Sequence, residues 1–167
     1  MEPDIIVSTM VRTHEDPVKV VDSVRSIFPD WHPEDVPVQS DFPVGREGKK
    51  IFGSVESIDN LLSILRENRI LDTALDAMAM EADKEGTFFR LSRQSAFIGK
   101  ASFVLGADPL GGSIEVTLNG PDIIIWLEQC TWHSGRENIP REVGDELAMS
   151  SSGEASEWFG SSDRARF

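Results

Sequence analysis

One cysteine, Cys130, stands among 167 residues, so no disulfide can close within the chain. No apolar run approaches the ~20 residues that a membrane helix needs. The N-terminus, MEPDIIVSTM, is acidic and lacks the basic flank and long apolar stretch of a signal peptide. These absences point to the cytoplasm. Catalytic signatures are missing too. Gly45 to Lys50 is too short for a Walker A loop, and no Ser or Thr follows its lysines. No serine sits in a nucleophile-elbow context. Cys130 and His133 are close, but a structural zinc site needs four ligands, and His14 and His32 lie far away in sequence. No metal, cofactor or enzymatic activity is therefore expected.

Positive charge is also scarce. The net charge is −13, with 29 acids against 16 bases, and arginines outnumber lysines by 11 to 5. A general nucleic-acid binder should be basic, because phosphate contacts supply most non-specific affinity. An acidic, Lys-poor surface fits adaptation to a salty cytoplasm, and it equally fits an ordinary acidic protein. The charge is uneven. Residues 1–45 hold 9 acids and 3 bases, residues 101–167 hold 11 and 4, but residues 46–100 hold 9 of each. An anionic partner would be sought in that middle third.

What is present is the patterning of one folded domain. Ile5, Val7, Thr9 and Val11 alternate with Ile6, Ser8, Met10 and Arg12, which predicts a strand with one wetter face. Asp16-Pro17 opens a helix with a capping carboxylate and a proline at its first position. Val20, Val21, Val24, Ile27 and Phe28 form its apolar stripe, and Pro29 stops it. Strands are predicted at 36–42 and 49–55 around the turn PVGREG. Two helices follow. The first carries Ile58, Leu61, Leu62 and Leu65, with Ser57 as its cap. The second runs from Ile70 to Ala82 and ends on Gly86 as its C-cap, and Asn68-Arg69 between them is either a bend or a break. A strand at 87–91, a short helix or turn at 92–100, a hairpin of 101–105 with 113–118, and a helix from Pro121 to Gln129 complete the list. The order βαββααβ(α)ββα predicts an α+β fold, a mostly antiparallel sheet with helices packed on one face. Residues 1–133 form this single domain. From residue 134 the composition turns to Ser, Gly and acids, too polar to offset the entropy of ordering, so 134–167 is expected as a disordered or loosely docked tail. Its island Trp158-Phe159, beside Arg164 and Arg166, could dock on a partner or on the domain.

Four blocks carry a family resemblance: THEDPVKVVDSVRSIFPD, KKIFGSVESIDNLLSILRENRILDTA, FFRLSRQSAFIGKASF, and LGGSIEVTL with the DIIIWLEQCT helix. Together they span roughly residues 4–132 and resemble the uncharacterised archaeal protein family 0201. That family is similar in fold to the large-subunit ribosomal protein that binds 5S ribosomal RNA. The resemblance implies an α+β fold and RNA binding. Where similar proteins carry Lys-Gln-Ala-Ala, this chain has Arg93-Gln94-Ser95-Ala96.

The candidate RNA contacts follow. Arg90, Arg93, Gln94 and Lys100 would form a polar corner holding a phosphate; the plain alternative is that Arg93 and Gln94 cap carbonyls or pair with a helix acid. Phe88 and Phe89 point to opposite strand faces, leaving one for base stacking. Lys49 and Lys50 make the turn after Gly45-Arg46-Glu47-Gly48 basic; that turn has the letters of a nucleotide-clamping GxxG loop, but between strands a plain hairpin explains it better. Asp72 and Asp76 are read as a solvated helix face. The expectation is a non-enzymatic RNA-binding module for structured RNA. The alternative is a protein-interaction or homodimerisation module, and an enzyme of unknown class comes third. Neither membrane nor DNA is expected as a partner.

Overall fold

The alternation of apolar and polar residues in the strands builds the sheet, and one side of it becomes the core. A computed structural model describes residues 2–37 and 48–137. Four strands, β1 (Asp4–Val11), β2 (Lys49–Val55), β3 (Gly86–Ser92) and β4 (Ser113–Asn119), form an antiparallel sheet in the order β2-β1-β4-β3. The register pairs Val7 with Gly53 and Val116, and Val116 with Phe89. Ile5, Val7, Val11, Ile51, Val55, Phe89, Leu91, Ile114, Val116 and Leu118 therefore share one buried face.

Five helices cover that face: α1 (Pro17–Arg25), α2 (Asp59–Glu67), α3 (Leu71–Ala79), α4 (Arg93–Phe97) and α5 (Ile123–Cys130). Helix α1 starts as expected, with the Asp16 side chain accepting from the Val18 N–H at 3.0 Å and Pro17 in the first turn. All five residues of its predicted stripe are buried. Trp31, fully buried, donates its indole N–H to the Val7 carbonyl at 2.9 Å. It lies against Gly53, where a Cβ would come within 2.6 Å of the indole nitrogen, so β2 needs glycine there. No helix among the described residues is long and apolar enough to cross a membrane.

The Asn68-Arg69 junction is a true break. Arg69 donates to the Arg66 carbonyl and Ile70 to the Leu65 carbonyl, both at 3.1 Å. This is a Schellman ending in which the left-handed position, usually glycine, is held by Arg69 at φ 58°. A side chain there costs about 1–2 kcal/mol.

Several expectations are corrected. Gly86 does not cap α3; that helix ends at Ala79, and Gly86 begins β3, where its amide donates to Asp83 at 3.0 Å. Residues 101–105 do not pair with β4. They run along the outer edge of β3, joined by the Leu91–Phe103 bridge, by the Ser92 N–H to Ser102 O and by the Val104 N–H to Arg90 O. β4 has both of its edges occupied, by β1 and β3, and so has none left for a hairpin. Packing also runs past residue 133: Ser134–Glu137 make a 3-10 turn that buries Arg136. The strand expected at 36–42 and the GxxG turn fall largely outside the described residues, as does the tail from 138 onward with Trp158, Phe159, Arg164 and Arg166.

Candidate nucleic-acid interface

The polar corner does not assemble as a set of free cations. Arg93 opens α4 directly after β3, with the Ser92 hydroxyl accepting from the Ser95 N–H at 3.3 Å. That placement drives the Arg93 side chain inward, where it is 6% exposed. Its Nη1 donates to Thr9 Oγ1 at 2.9 Å and to the Met10 carbonyl at 2.5 Å, and its Nη2 to Glu15 Oε1 at 2.5 Å. Burial pulls the Arg93 pKa below its ordinary value, against the opposing charge and hydrogen bond of Glu15. The residue ties α4 to β1 and to the loop before α1. An RNA contact through Arg93 is thus corrected to a structural cross-link. Gly112, at φ 80°, passes over its guanidinium; a Cβ there would lie 2.9 Å from Nη2.

The remaining candidates separate onto different surfaces. Arg90 pairs with Asp108 at 2.5 Å and donates to the Gly106 carbonyl, so it braces the loop after residue 103. Gln94 is exposed at the rim of a broad groove between α1 and α4, beside exposed Phe97, Ile98 and Leu110. Lys100 and Lys49 are exposed, and their ammonium groups have no partner among the described residues. Lys50 pairs with Glu115 and lies 5.6 Å from the Phe52 ring centre. The two phenylalanines divide as the strand period requires. Phe89 is buried and tilted against Phe103 at 5.8 Å, while Phe88 points outward.

The face of the sheet away from the helices is the larger feature. Along the register, one row across it reads Ser54, Ile6, Thr117, Phe88, and the next reads Phe52, Ser8, Glu115, Arg90. Phe52 is 53% exposed, Met10 41%, Ile6 38% and Phe88 37%. No described helix covers them. The two aromatic residues sit on opposite edge strands, roughly 16 Å apart from strand spacing and rise. Residue-by-residue reading of the sequence overlooked Phe52 because its importance depends on β2 lying at a sheet edge with an open face. The alternation Lys50-Phe52-Ser54 was the available signal.

The acids expected on a solvated helix face behave otherwise. Asp76 is buried. Asp72 Oδ1 accepts from Arg136 Nε at 2.8 Å and from His133 Nε2 at 3.0 Å. Burial works to raise the Asp72 pKa, but the hydrogen bonds and charges of Arg136 and His133 outweigh it and leave the carboxyl below its ordinary value. Cys130 is half-buried, and desolvation pushes its thiol up to about 11, which suppresses the reactive thiolate. Among the described residues no three metal-ligating side chains gather.

No family model matches the chain. A UPF0201 protein of Sulfolobus acidocaldarius is 32% identical over 137 residues, which are 76% of this chain and 86% of the relative. A UPF0201 protein of Aeropyrum pernix is 33% identical over 135 residues, 74% and 83% respectively. The crystal structure of a UPF0201 protein from Methanococcus jannaschii matches with a TM-score of 0.64 at 24% identity, covering 77% of this chain and 99% of that one. A second UPF0201 crystal structure matches at 0.61 and 26% identity, covering 75% and 90%.

Proposed function

This chain belongs to the archaeal UPF0201 family, as its four sequence blocks indicated, and on that footing we propose that it is a non-enzymatic module that binds RNA on the open face of its sheet. The observation that carries the reading is the exposure of Phe52 and Phe88 on that face. An antiparallel four-stranded sheet with outward aromatic side chains is a platform on which unpaired bases stack. Lys50 and Arg90 share the face and can meet the backbone phosphates. Their pairs with Glu115 and Asp108 are partly exposed, and such pairs contribute about 0–1 kcal/mol each, so exchange for phosphate is inexpensive. The fold similarity to the 5S-RNA-binding ribosomal protein that the family resemblance implies points in the same direction. The contact region moves from the corner around Arg93 to the sheet.

The non-enzymatic part of the reading has its own support. Of the titratable clusters, Asp72–His133–Arg136 most resembles a catalytic group, yet both imidazole nitrogens are engaged. Nδ1 accepts from the Gly135 N–H at 3.2 Å, and Nε2 faces Asp72. A general base needs one nitrogen free to take a proton.

The test is fluorescence anisotropy with total cellular RNA, a uridine oligonucleotide and duplex DNA over a salt series. RNA should bind in preference to DNA. Phe52→Ala/Phe88→Ala should weaken RNA binding roughly tenfold or more, because each base stack contributes about 1–3 kcal/mol. No RNA binding at low salt would sink the reading. A second copy of the chain is the rival occupant, favoured by the apolar character of Ile6 and Met10 beside the two aromatics. Sedimentation distinguishes them: a dimer that Phe52→Glu disrupts would place self-association, rather than RNA, on this face.

A further inference from the structure

The corner between α2 and α3, on the helical side of the sheet, holds a cavity of about 420 Å³ whose wall includes Arg66, Arg69, Asp72 and His133. Its electrostatics follow from who is already engaged. Asp72 is neutralised by Arg136, which also donates to the Glu128 carbonyl at 3.0 Å and to Thr131 Oγ1 at 3.0 Å. His133 accepts the Gly135 N–H at Nδ1 and faces Asp72 with Nε2, so both ring nitrogens are engaged. Arg66 and Arg69 have no side-chain partner among the described residues. Arg136 engages the carboxylate of Asp72, and Arg66 and Arg69 are exposed cations on the wall of the same cavity.

Two further observations point the same way. Arg69 occupies the left-handed helix-ending position at φ 58°, where glycine fits without strain, so the chain keeps a long cation at a backbone position that disfavours any side chain. Helix α3 then begins beside the cavity with no side chain capping its first N–H groups. Guanidinium forks match tetrahedral oxyanions, and a helix start adds oriented donors. The volume exceeds what a bare ion needs and lies in the range of small-molecule sites.

We infer that this cavity binds a phosphate group, free or carried by a small monoester, through Arg66 and Arg69. The site is independent of the open sheet face. In a chain of net charge −13, a local concave excess of arginine admits a compact anion while the surrounding surface repels long polyanions.

The experiment is an NMR amide titration of the full chain with inorganic phosphate, glycerol 2-phosphate and malonate, at matched ionic strength against chloride. Saturable shifts at Arg69, Leu71 and Asp72 with either phosphate are expected, and the ratio of the two affinities assigns the source. Arg69→Gly removes the guanidinium while relieving the backbone, so this variant should melt no lower than wild type yet bind at least tenfold more weakly. Arg66→Gln should weaken binding similarly. Absence of saturation at millimolar phosphate, equal binding by malonate, or an Arg69→Gly variant that binds like wild type would each overturn the assignment.

Discussion

Replacing Arg93 by methionine keeps most of the side-chain volume and deletes three hydrogen bonds at once, those to Thr9, Met10 and Glu15. The ion pair it breaks is nearly buried, with Arg93 6% and Glu15 16% exposed. Removing one partner of such a pair costs about 3–5 kcal/mol, because the other charge keeps its desolvation penalty. Against a typical domain stability of about 5–15 kcal/mol this is a large share. With a urea slope of ~2 kcal/mol/M, the unfolding midpoint should fall by about 2 M. The assay is a urea titration followed by tryptophan fluorescence, with buried Trp31 among the reporters. Glu15→Met/Arg93→Met should recover part of the loss, since neither charge then remains. Arg93→Met in the folded state should leave RNA affinity within a few-fold of wild type. A midpoint shift below about 0.5 M combined with abolished RNA binding would refute the argument and return Arg93 to the ligand.

Four other outcomes follow from the same geometry. Gly112→Ala should destabilise by more than about 1 kcal/mol, since it combines a strained φ of 80° with a Cβ 2.9 Å from the Arg93 guanidinium; denaturant midpoints check it. Asp72 has a depressed pKa in the folded state, so its stabilising contribution is present above the unfolded value near ~4 and is lost as pH falls through the folded pKa. Asp72→Asn should therefore be less stable at neutral pH and show a flatter stability profile below about pH 4, by urea titration at a series of pH values. Phe89→Ala should cost about 3–5 kcal/mol through its core cavity. Phe88→Ala, on the opposite face of the same strand, should cost under ~1 kcal/mol by the same measurement.

Much of the architecture was legible because it is local. The alternation in Ile5–Val11, the Asp16-Pro17 start, and the apolar spacing of Leu61, Leu62 and Leu65 each report on neighbours within a few residues. The misreadings involve partners far along the chain. Residues 101–105 had strand-like composition, but the choice between β3 and β4 as neighbour is made by sheet order. Asp76 looked solvated from its helix alone, and it is buried.

The candidate site divides the same way. Strand periodicity placed Phe88 and Phe89 on opposite faces, whereas only the sheet edge and the helical layer decide that Phe88 remains open and Phe89 is core. The charge of Arg93 was plain in the sequence. Its use was not, because Thr9 lies 84 residues away and Glu15 lies 78. Arg66 and Arg69 are ordinary letters on a helix end; only the fold sets them on one cavity wall with Asp72 and the distant His133. Sequence by itself determined the family, the α+β class and the amphipathic elements, since these rest on composition and short-range periodicity. Tertiary structure alone decided which cations are consumed in pairing and which have no partner among the described residues, because charge neutralisation depends on distance in space, and distance in space is set by the fold.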